Sequence, residues 1–232
     1  MITLHFAPDN ASLVVRAVLE ELGETYEAVL VDRAAREQDG AAYRALNPNG
    51  LIPVCIIDGE PVFETGAIVL TLAERAGRLV PLPGEAGRNR LLKWLFFISN
   101  TLHPALRHMF YPERYAAARP ECRAAQAEIA RHEVVRAFTV LDGAYAENAG
   151  PFLLGDALSV ADVYAGLAFR WAQLYPLAAP GVVGPADVPA LARMAENLQA
   201  RPSFIRACAA DGIAAPCLVR PSYPDGTKGA AL

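Results

Sequence analysis

The hydrophobic pattern of the chain changes its period once, and this change limits the possible folds more than any other feature. Up to about residue 80 the apolar residues form short or alternating runs, typical of strands, that are interspersed with helical segments. From residue 88 onward they recur with the period of an amphipathic helix. We therefore predict an α/β domain over residues 1–80, a linker over 81–87, an all-α domain over 88–213 and an irregular tail over 214–232.

The first 80 residues predict the element order β-α-β-α-β-β-α. Strands are expected at 2–6, 26–31, 54–57 and 61–63, and helices at 12–22, 33–45 and 65–75. The Asp58-Gly59 pair is a hairpin signal between the last two strands, whereas the first strands are separated by a helical crossover. Because a tight turn joins antiparallel strands and a crossover joins parallel ones, we predict a mixed sheet.

The second half predicts a helical bundle. Helices are expected at 88–110, 121–147, 160–174 and 189–200, with a weaker one after residue 202.

Charge and cysteine content narrow the class of partner. The 232 residues carry a net charge of -4 with both signs interspersed, so the chain lacks the electrostatic signature of a protein that binds nucleic acid or anionic membrane. No apolar run approaches the roughly 18 residues of a membrane span, and Met1 leads into ITLHFAP without the features of an export signal. The four cysteines show neither a CxxC pair nor zinc-site spacing. We expect a cytoplasmic protein with reduced thiols, no metal and a small-molecule partner.

The stretch NPNGLIPVCIIDGEPVFETGAI, residues 47–68, places a proline at the start of an apolar strand. Proline cannot donate a ladder hydrogen bond, and the peptide bond before it adopts the cis form more readily than any other. A cis Ile52–Pro53 bond would leave the backbone N–H and C=O of Ile52 free to pair with an extended peptide ligand. The alternative is a trans proline that begins an edge strand, and the dipeptide alone favours this alternative.

Glu64 and Thr65 stand together at the start of the helix predicted at 65–75. The backbone N–H groups and the dipole of a helix N-terminus attract a carboxylate, and Glu64 is placed to accept hydrogen bonds from an ammonium group. The pair could therefore hold both charged groups of an amino acid. The alternative is ordinary capping, with Thr65 as the N-cap and Glu64 as a solvated charge.

These motifs resemble those of the glutathione transferases, and the resemblance covers nearly the whole chain. NPNGLIP resembles the family's NPxGxVP loop with its cis proline, and FETGAI resembles the Glu/Gln-Ser/Thr pair that binds the γ-glutamyl end of glutathione. The resemblance implies a thioredoxin-like N-terminal domain followed by an all-helical domain. It also implies that glutathione is bound by Ile52, Pro53, Glu64 and Thr65.

A further motif of this resemblance concerns folding. Ser159-Val160-Ala161-Asp162 is similar to the family's buried capping box, in which Ser159 caps the helix and Asp162 reaches back. Leu158 and Val163 would form the accompanying hydrophobic staple.

Among the subclasses of the family, the bacterial beta class is the most similar. WLFFISNTLH, residues 94–103, resembles a beta-class segment that ends in an active-site His, which implies that role for His103. Arg36 stands four residues after Asp32, where that class has a glutathione-binding Lys. The resemblance further implies a homodimer, glutathione as co-substrate and a small hydrophobic electrophile as second substrate.

Three positions depart from the beta-class pattern. Ala11 stands where that class has the Cys of a Pro-Gly-Ala-Cys-Ser loop, which removes the mixed-disulfide chemistry of that residue. Leu51 replaces a polar residue that contacts glutathione, and Phe96 replaces an Asn that reaches the partner subunit. These departures bear on ligand affinity and reaction type more than on the fold.

Without that Cys, another group must stabilise the thiolate of glutathione. A free cysteine thiol has a pKa of about 8.5, and lowering it by about two units takes about 2.7 kcal/mol, which one or two donors and a helix N-terminus can supply. The Ser12 hydroxyl and the Asn10 side-chain N–H are the candidate donors, with Ser12 favoured; either residue could instead cap the first helix. His103 could donate to the sulfur or the co-substrate, or could be a kink residue before Pro104.

The second substrate needs an apolar wall. Phe110, Tyr111 and Trp171 are the candidates, because their segments can face the cleft between the predicted domains, although aromatic residues at helical spacing are also common in cores. His103 and His108 have the wrong spacing for one helix face, so no metal pair is expected.

Three functions are compatible with the sequence. The first is a glutathione transferase that conjugates glutathione to the electrophile. The second is a glutathione-dependent reductase of disulfides or peroxides that uses bound glutathione. The third is a non-catalytic transferase-like binding protein, similar to the corresponding domain of some translation elongation factors.

Overall fold

The computed structural model describes residues 1–116, 119–177 and 179–224. These residues form two compact units: the first contains Met1–Arg88 and Gln199–Cys217, and the second contains Asn89–Leu198 and Leu218–Pro221. The helix at Pro202–Ala210 thus belongs to the first unit. Residues 225–232 of the predicted irregular tail lie outside the described residues, and the predicted domain boundaries stay predictions.

A four-stranded mixed sheet forms the centre of the first unit, as the sequence predicts. Its strands are β1 (Ile2–Phe6), β2 (Glu27–Leu30), β3 (Val54–Ile57) and β4 (Glu60–Phe63). Their spatial order is β2-β1-β3-β4. β1 runs parallel to β2 and antiparallel to β3, and β3 pairs antiparallel with β4 across the predicted hairpin.

The helices alternate with these strands and then continue alone. In the first 88 residues they are α1 (Ser12–Leu22), α2 (Ala41–Arg44) and α3 (Thr65–Ala76). The later helices are α4 (Arg88–Phe97), α5 (His103–Phe110), α6 (Pro112–Tyr115), α7 (Arg123–Ala146), α8 (Val160–Leu174), α9 (Pro189–Gln199) and α10 (Pro202–Ala210). Short 3₁₀ turns cover Glu37–Asp39 and Pro120–Cys122. The element order βαβαββα followed by helices confirms the predicted fold class.

α1 is the central helix of the first unit. It packs against β1 on one side and against α3 and α10 on others, and its residues from Leu13 to Val15 are fully buried. It ends at Gly23, whose left-handed φ of 73° suits a residue without a Cβ. By contrast, the polar segment predicted as a helix at 33–45 forms only a 3₁₀ turn and one helical turn, because it offers few apolar side chains to bury.

The long helix predicted at 88–110 is interrupted. A π-helical turn at Ile98–Leu102 separates α4 from α5. Pro104 is the second residue of α5. Because proline lacks an N–H and its ring clashes with the preceding turn, a regular α-helix cannot continue through it.

α8 is buried along nearly its whole length, and a capping box begins it, as the sequence predicts. Asp162 is fully buried. Its carboxylate accepts hydrogen bonds from Ser159 N at 2.9 Å, Ser159 Oγ at 2.6 Å, Leu153 N at 2.8 Å and Tyr145 Oη at 3.0 Å. Burial raises the pKa of Asp162, while these four donors act in the opposite direction.

Within the described residues, no helix combines the length and the apolar character required to cross a membrane.

We predict that Asp162→Ala lowers the free energy of unfolding by about 3 kcal/mol or more, because it leaves several buried donors without an acceptor. Urea denaturation measures this change. Asp187 provides a matched control, since its exposed carboxylate also accepts a backbone hydrogen bond, from Gly184 at 2.8 Å. Asp187→Ala is expected to cost about 1 kcal/mol or less. Equal losses in the two variants would contradict the structural role of Asp162.

Candidate functional site

One end of the sheet carries all the segments that the sequence singled out in the first unit. The pairing Phe6↔Leu30 aligns the carboxyl ends of β1 and β2, and His5↔Val54 sets the start of β3 beside the end of β1. The pairing Val54↔Phe63 likewise sets the end of β4 beside the start of β3. The loops after β1, after β2 and after β4, and the loop before β3, therefore emerge at the same edge.

The loop before β3 is held in place through Leu51. Its carbonyl accepts hydrogen bonds from Tyr43 Oη at 2.9 Å and from Asn47 Nδ2 at 2.8 Å. Burial raises the pKa of Tyr43 far above its usual range, so its hydroxyl stays a donor at physiological pH. Leu51, where the resemblance implies a polar side chain, thus acts here through its backbone.

Ile52 and Pro53 occupy the position predicted for contact with a peptide ligand. The bond between them is cis. The side chain of Ile52 packs against a small core of Val31, Tyr43 and Val54. Within the described residues, the backbone N–H and C=O of Ile52 have no hydrogen-bond partner, so both remain available to a ligand.

Glu64 and Thr65 begin α3 in an unusual way. Glu64 has φ 71° and ψ 113°, a conformation that costs a residue with a side chain about 1–3 kcal/mol and that occurs most often at functional sites. Its carboxylate is exposed, and no donor in the described part of the chain bonds to it. Thr65 is 7% exposed, and its hydroxyl likewise has no partner among these residues. Neither side chain caps α3, so the capping alternative is not realised.

Asn10 and Ser12 lie in the loop after β1 and differ in what they offer. Ser12 is 1% exposed; its hydroxyl donates to Ala7 O at 2.9 Å and accepts from Ala7 N at 3.2 Å. Its proton is therefore already used to join the end of β1 to α1. The amide of Asn10 makes no hydrogen bond within the described residues, and its Oδ1 is buried without a partner. Of the two predicted donors, Asn10 is the one with an unused N–H.

Neither Asn10 nor Ser12 caps α1, whose first residue follows Ala11 without a side-chain cap.

Arg36 lies in the loop after β2 with a left-handed φ of 56°. Its side chain is 78% exposed and its Nε donates to Asp39 Oδ2 at 2.8 Å. This hydrogen bond lowers the pKa of Asp39. A ligand anion would have to share Arg36 with Asp39.

His103 lies in the second unit at the first residue of α5. Its Nδ1 is 2.5 Å from Tyr164 Oη, and its ring lies 5.3 Å from that of Trp171 between centroids. Burial, together with the nearby Arg107, lowers the pKa of His103 to about 4. The imidazole is therefore uncharged at neutral pH, and its position next to the π-helical turn agrees with the kink alternative.

The predicted apolar residues form two separate groups of rings in this unit. Phe110 contacts Tyr111 at 6.3 Å and Tyr175 at 5.8 Å between centroids. Trp171 instead packs on His103, is 3% exposed, and its Nε1 is buried with no hydrogen-bond partner in the described part of the chain. Among the described residues, no three His, Cys, Asp or Glu side chains are grouped as a metal site.

Sequence reasoning missed a buried ion pair behind the loop that carries Asn10. Arg16 Nε in α1 lies 2.8 Å from Asp211 Oδ1, which follows α10, and both side chains are almost wholly buried. Asp211 Oδ2 accepts a hydrogen bond from Asp9 N at 3.2 Å. Burial raises the pKa of Asp211 to about 6, against the opposing effect of Arg16. No local pattern could have revealed this pair. The sequence analysis also assigned no role to Asn47, which holds the carbonyl of Leu51, although the NPNG motif that contains it was recognisable.

Two models of protein families match the chain. The N-terminal domain of glutathione S-transferase matches residues 11–75, and the C-terminal domain of glutathione S-transferase matches residues 96–202. Together they cover most of the sequence.

Individual relatives carry related but different names. Glutathione S-transferase GstA of Escherichia coli O157:H7 is 26% identical over 214 residues, which are 90% of this chain and 98% of the relative. Disulfide-bond oxidoreductase YfcG of Escherichia coli K12 is 32% identical over 171 residues, 70% of this chain and 76% of the relative. The solved structure of a sphingomonad glutathione S-transferase complexed with glutathione has a TM-score of 0.75 and 32% identity, covering 91% of this chain and all of the other.

We predict that Gly50→Ala lowers the free energy of unfolding by about 3 kcal/mol, because the residue has φ +63° and a Cβ would lie 2.9 Å from the carbonyl oxygen of Gln38. Gly59 is the matched control: it has φ +93° but nothing within 4 Å of a Cβ. Gly59→Ala should cost only the backbone term, about 1–2 kcal/mol. Denaturant unfolding of both variants tests this; an equal cost would mean that close packing at Gly50 is unimportant.

The raised pKa of Asp211 predicts a pH dependence of stability. A carboxyl whose folded pKa exceeds its unfolded value contributes stability that is present at low pH and is lost as the pH rises through about 6. Relative to Asp211→Asn, the wild-type protein should lose about 2.5 kcal/mol of unfolding free energy between pH 4 and pH 7. Urea denaturation of both proteins across this range measures the change. A constant difference between them would show that Asp211 titrates normally.

Proposed function

Because the chain belongs to the glutathione S-transferase family, we propose that it binds glutathione at the edge of the sheet described above and transfers it to a hydrophobic electrophile. Several structural neighbours, including the sphingomonad enzyme, have glutathione bound. Relatives of this chain are named for different activities, among them glutathione S-transferase and disulfide-bond oxidoreductase.

The observation that carries the proposal is that unused polar groups converge at one sheet edge. Within the described residues, the backbone of Ile52, the carboxylate of Glu64, the hydroxyl of Thr65 and the amide of Asn10 all lack partners. Asn10, Ile52 and Thr65 are buried or half-buried, and polar groups in such positions are normally satisfied. A ligand that is itself an extended peptide with an ammonium, carboxylates and a thiol can satisfy all four.

The geometry of α3 suits the γ-glutamyl end of glutathione. The α-carboxylate of that group would accept hydrogen bonds from the Thr65 hydroxyl and from the N–H groups of the first turn of α3, aided by the helix dipole. Its ammonium group would donate to Glu64. The cysteinyl part would pair with the backbone of Ile52 beside Pro53, and Arg36 would attract a carboxylate if it leaves Asp39.

The amide N–H of Asn10 would then stabilise the thiolate. A hydrogen bond donated to the thiolate stabilises this charged form and so lowers the pKa of the thiol. The thiol proton passes to solvent, the sulfur attacks the electrophilic carbon, and a new S–C bond forms as the leaving group departs with its electron pair. Ser12 would not contact the sulfur; its hydroxyl stabilises the loop through its hydrogen bonds to the backbone of Ala7.

The second substrate would be bound by residues of the helical unit. Phe110 and Tyr111, which are partly exposed, would supply apolar surface, whereas Trp171 is 3% exposed and packs behind it on His103. The imidazole of His103 is uncharged at neutral pH. It can donate or accept a hydrogen bond, but it provides no positive charge to stabilise a leaving group.

Disulfide reduction is a second candidate function, and the relative named as a disulfide-bond oxidoreductase favours it. The thiolate of bound glutathione would attack one sulfur of a disulfide and release the other as a thiol; a second glutathione would complete the reduction and leave oxidised glutathione. This chemistry needs no protein cysteine, which agrees with Ala11. A non-catalytic binding protein is the third candidate, and it requires no change in the thiol pKa.

We also propose that the protein is a cytoplasmic homodimer. Phe96 of α4 is 54% exposed, which suits an apolar contact between subunits. Analytical ultracentrifugation at micromolar concentration tests this directly, and only monomer at that concentration would contradict it.

We predict that Asn10→Ala lowers turnover with an aryl halide about tenfold or more while the dissociation constant of glutathione changes little, because a hydrogen bond to a charged group contributes about 1.5–3 kcal/mol. The absorbance of the thiolate as a function of pH, with protein in excess, should show a lowered thiol pKa in the wild type that returns towards about 8.5 in the variant. A lowered pKa that persists in Asn10→Ala would exclude this residue as the donor. Replacing aryl halide by a small disulfide in the same assays separates conjugation from reduction.

We predict that Glu64→Gln weakens glutathione binding about tenfold or more, because it removes the charge that would hold the ammonium group. Isothermal titration calorimetry measures this. Glu60 on β4 is the control, since it is also exposed but begins that strand at the opposite end from Glu64. Glu60→Gln should bind like the wild type, and equal affinity in all three proteins would overturn the proposed site.

A further inference from the structure

A residue far along the chain contacts the loop that carries Asn10. Asp211 accepts a hydrogen bond from the backbone N–H of Asp9, a separation of 202 residues in sequence. Asp9 is 8% exposed and has a left-handed φ of 46°, which a residue with a side chain adopts at a cost. The residue that follows this strained position is Asn10. The hydrogen bond therefore acts at the point where the direction of the Asn10 side chain is set.

The pairing of Asp211 with Arg16 is poorly suited to a purely stabilising role. Although Arg16 Nε and Asp211 Oδ1 are 2.8 Å apart, the N–H is not aligned with the oxygen, and neither atom has a hydrogen-bond partner in the described residues. Arg16 Nη2 also lacks one, while Nη1 donates to Tyr26 Oη at 3.2 Å. A buried ion pair offsets its desolvation only when its hydrogen bonds are well made. Stability alone does not account for these charges.

The pair of Arg16 and Asp211 provides a fixed hydrogen-bond acceptor, Asp211 Oδ2, for the loop that contains Asp9 and Asn10. The Arg16 guanidinium lies 4.3 Å from the centre of the Phe6 ring, at the end of β1, and 5.9 Å from the centre of the Tyr26 ring, to whose hydroxyl its Nη1 donates. Arg16 is thus fixed by its neighbours, and its charge holds the Asp211 carboxylate in the position where Oδ2 reaches Asp9 N. The backbone carbonyl of Asn10 in turn accepts from Leu13 N at 2.9 Å, so the turn is held from both ends.

We propose that Asp211 is a positioning residue for thiol activation: it holds the Asp9–Asn10 turn in the conformation that directs the Asn10 amide to the sulfur of glutathione. This inference rests on the proposed function. It makes the segment after α10 part of the machinery that activates the thiol, although it touches neither substrate nor sulfur. Arg16 acts one step further away by orienting Asp211.

Loss of α10 docking is the competing explanation for any effect of Asp211, and the structure offers a control for it. Glu21 of α1 pairs with Arg201 and Ser203 at the other end of α10. Glu21→Gln loosens the same two helices from each other without touching Asp9. Asp211→Asn is the second control, because its amide oxygen can still accept from Asp9 N if it is oriented as in the native carboxylate.

The test uses the full-length wild type and the variants Asp211→Ala, Asp211→Asn and Glu21→Gln. We expect Asp211→Ala to lower turnover about tenfold or more, since a misplacement of about 1 Å can cost up to about 100-fold, and to return the pKa of bound glutathione towards its solution value. The dissociation constant of glutathione should change less than about threefold, because the groups at Ile52, Glu64 and Thr65 are intact. Asp211→Asn should retain most of the activation, and Glu21→Gln should lower the melting temperature with the thiol pKa unchanged.

Backbone hydrogen exchange at Asp9 and the side-chain amide signals of Asn10, both observed by NMR, separate this inference from the proposed function. Faster exchange at Asp9 and altered Asn10 signals in Asp211→Ala, but not in Glu21→Gln, would support positioning by Asp211. If the wild type fails to lower the thiol pKa, that failure overturns the proposed function but leaves the positioning by Asp211 standing. Unchanged exchange at Asp9 in Asp211→Ala would overturn the inference. So would an unchanged thiol pKa in Asp211→Ala when Asn10→Ala raises it, or equal losses of activation in Asp211→Ala and Glu21→Gln.

Discussion

The candidate site depends on the position of β1 between a parallel and an antiparallel neighbour. Because β2 runs with β1 and β3 runs against it, the end of β1, the end of β2 and the start of β3 meet at one edge of the sheet. The hairpin from β3 to β4 returns the chain to that same edge, where α3 begins. A different register or direction at β1 would separate the loop of Asn10 from Ile52 and from Glu64. The site is thus a consequence of backbone pairing before any side chain contributes.

Two buried carboxylates show how differently the same residue type can be used. Asp162 accepts four hydrogen bonds from groups within its own helical unit, and a carboxylate satisfied in this way stabilises the start of α8. Among the described residues, the Asp211 carboxylate accepts one hydrogen bond, from Asp9 N, and has a poorly aligned guanidinium beside it. Burial raises the pKa of both. The burial of Asp162 is explained by its role in folding, whereas the burial of Asp211 is explained by the loop that it holds in place.

Local signals were sufficient for much of the fold. The bounds of β1, α1, β3 and α8 follow from apolar periodicity, turn residues and caps that lie within a few residues of each other. The same rules failed where tertiary demands intervened: the segment 33–45 is too polar to bury a helical face, and the helix at 88–110 contains a π-helical turn before Pro104. For the candidate site, the motif residues Ile52, Glu64 and Thr65 were identifiable as a pattern, but whether their polar groups were free was not.

The sequence by itself determined the class of the fold, the order of its elements and the short motifs from which a glutathione site could be expected, because these depend on residues close together in the chain. Only the tertiary structure decided which donor in the loop after β1 is available. The proton of Ser12 is committed to Ala7, and the amide of Asn10 is not. It also brought Asp211 to Asp9, since a contact between residues so distant in sequence arises only when α10 packs against α1. Hydrogen-bond partners are set by the packing of distant elements, and that packing leaves no local trace in the sequence.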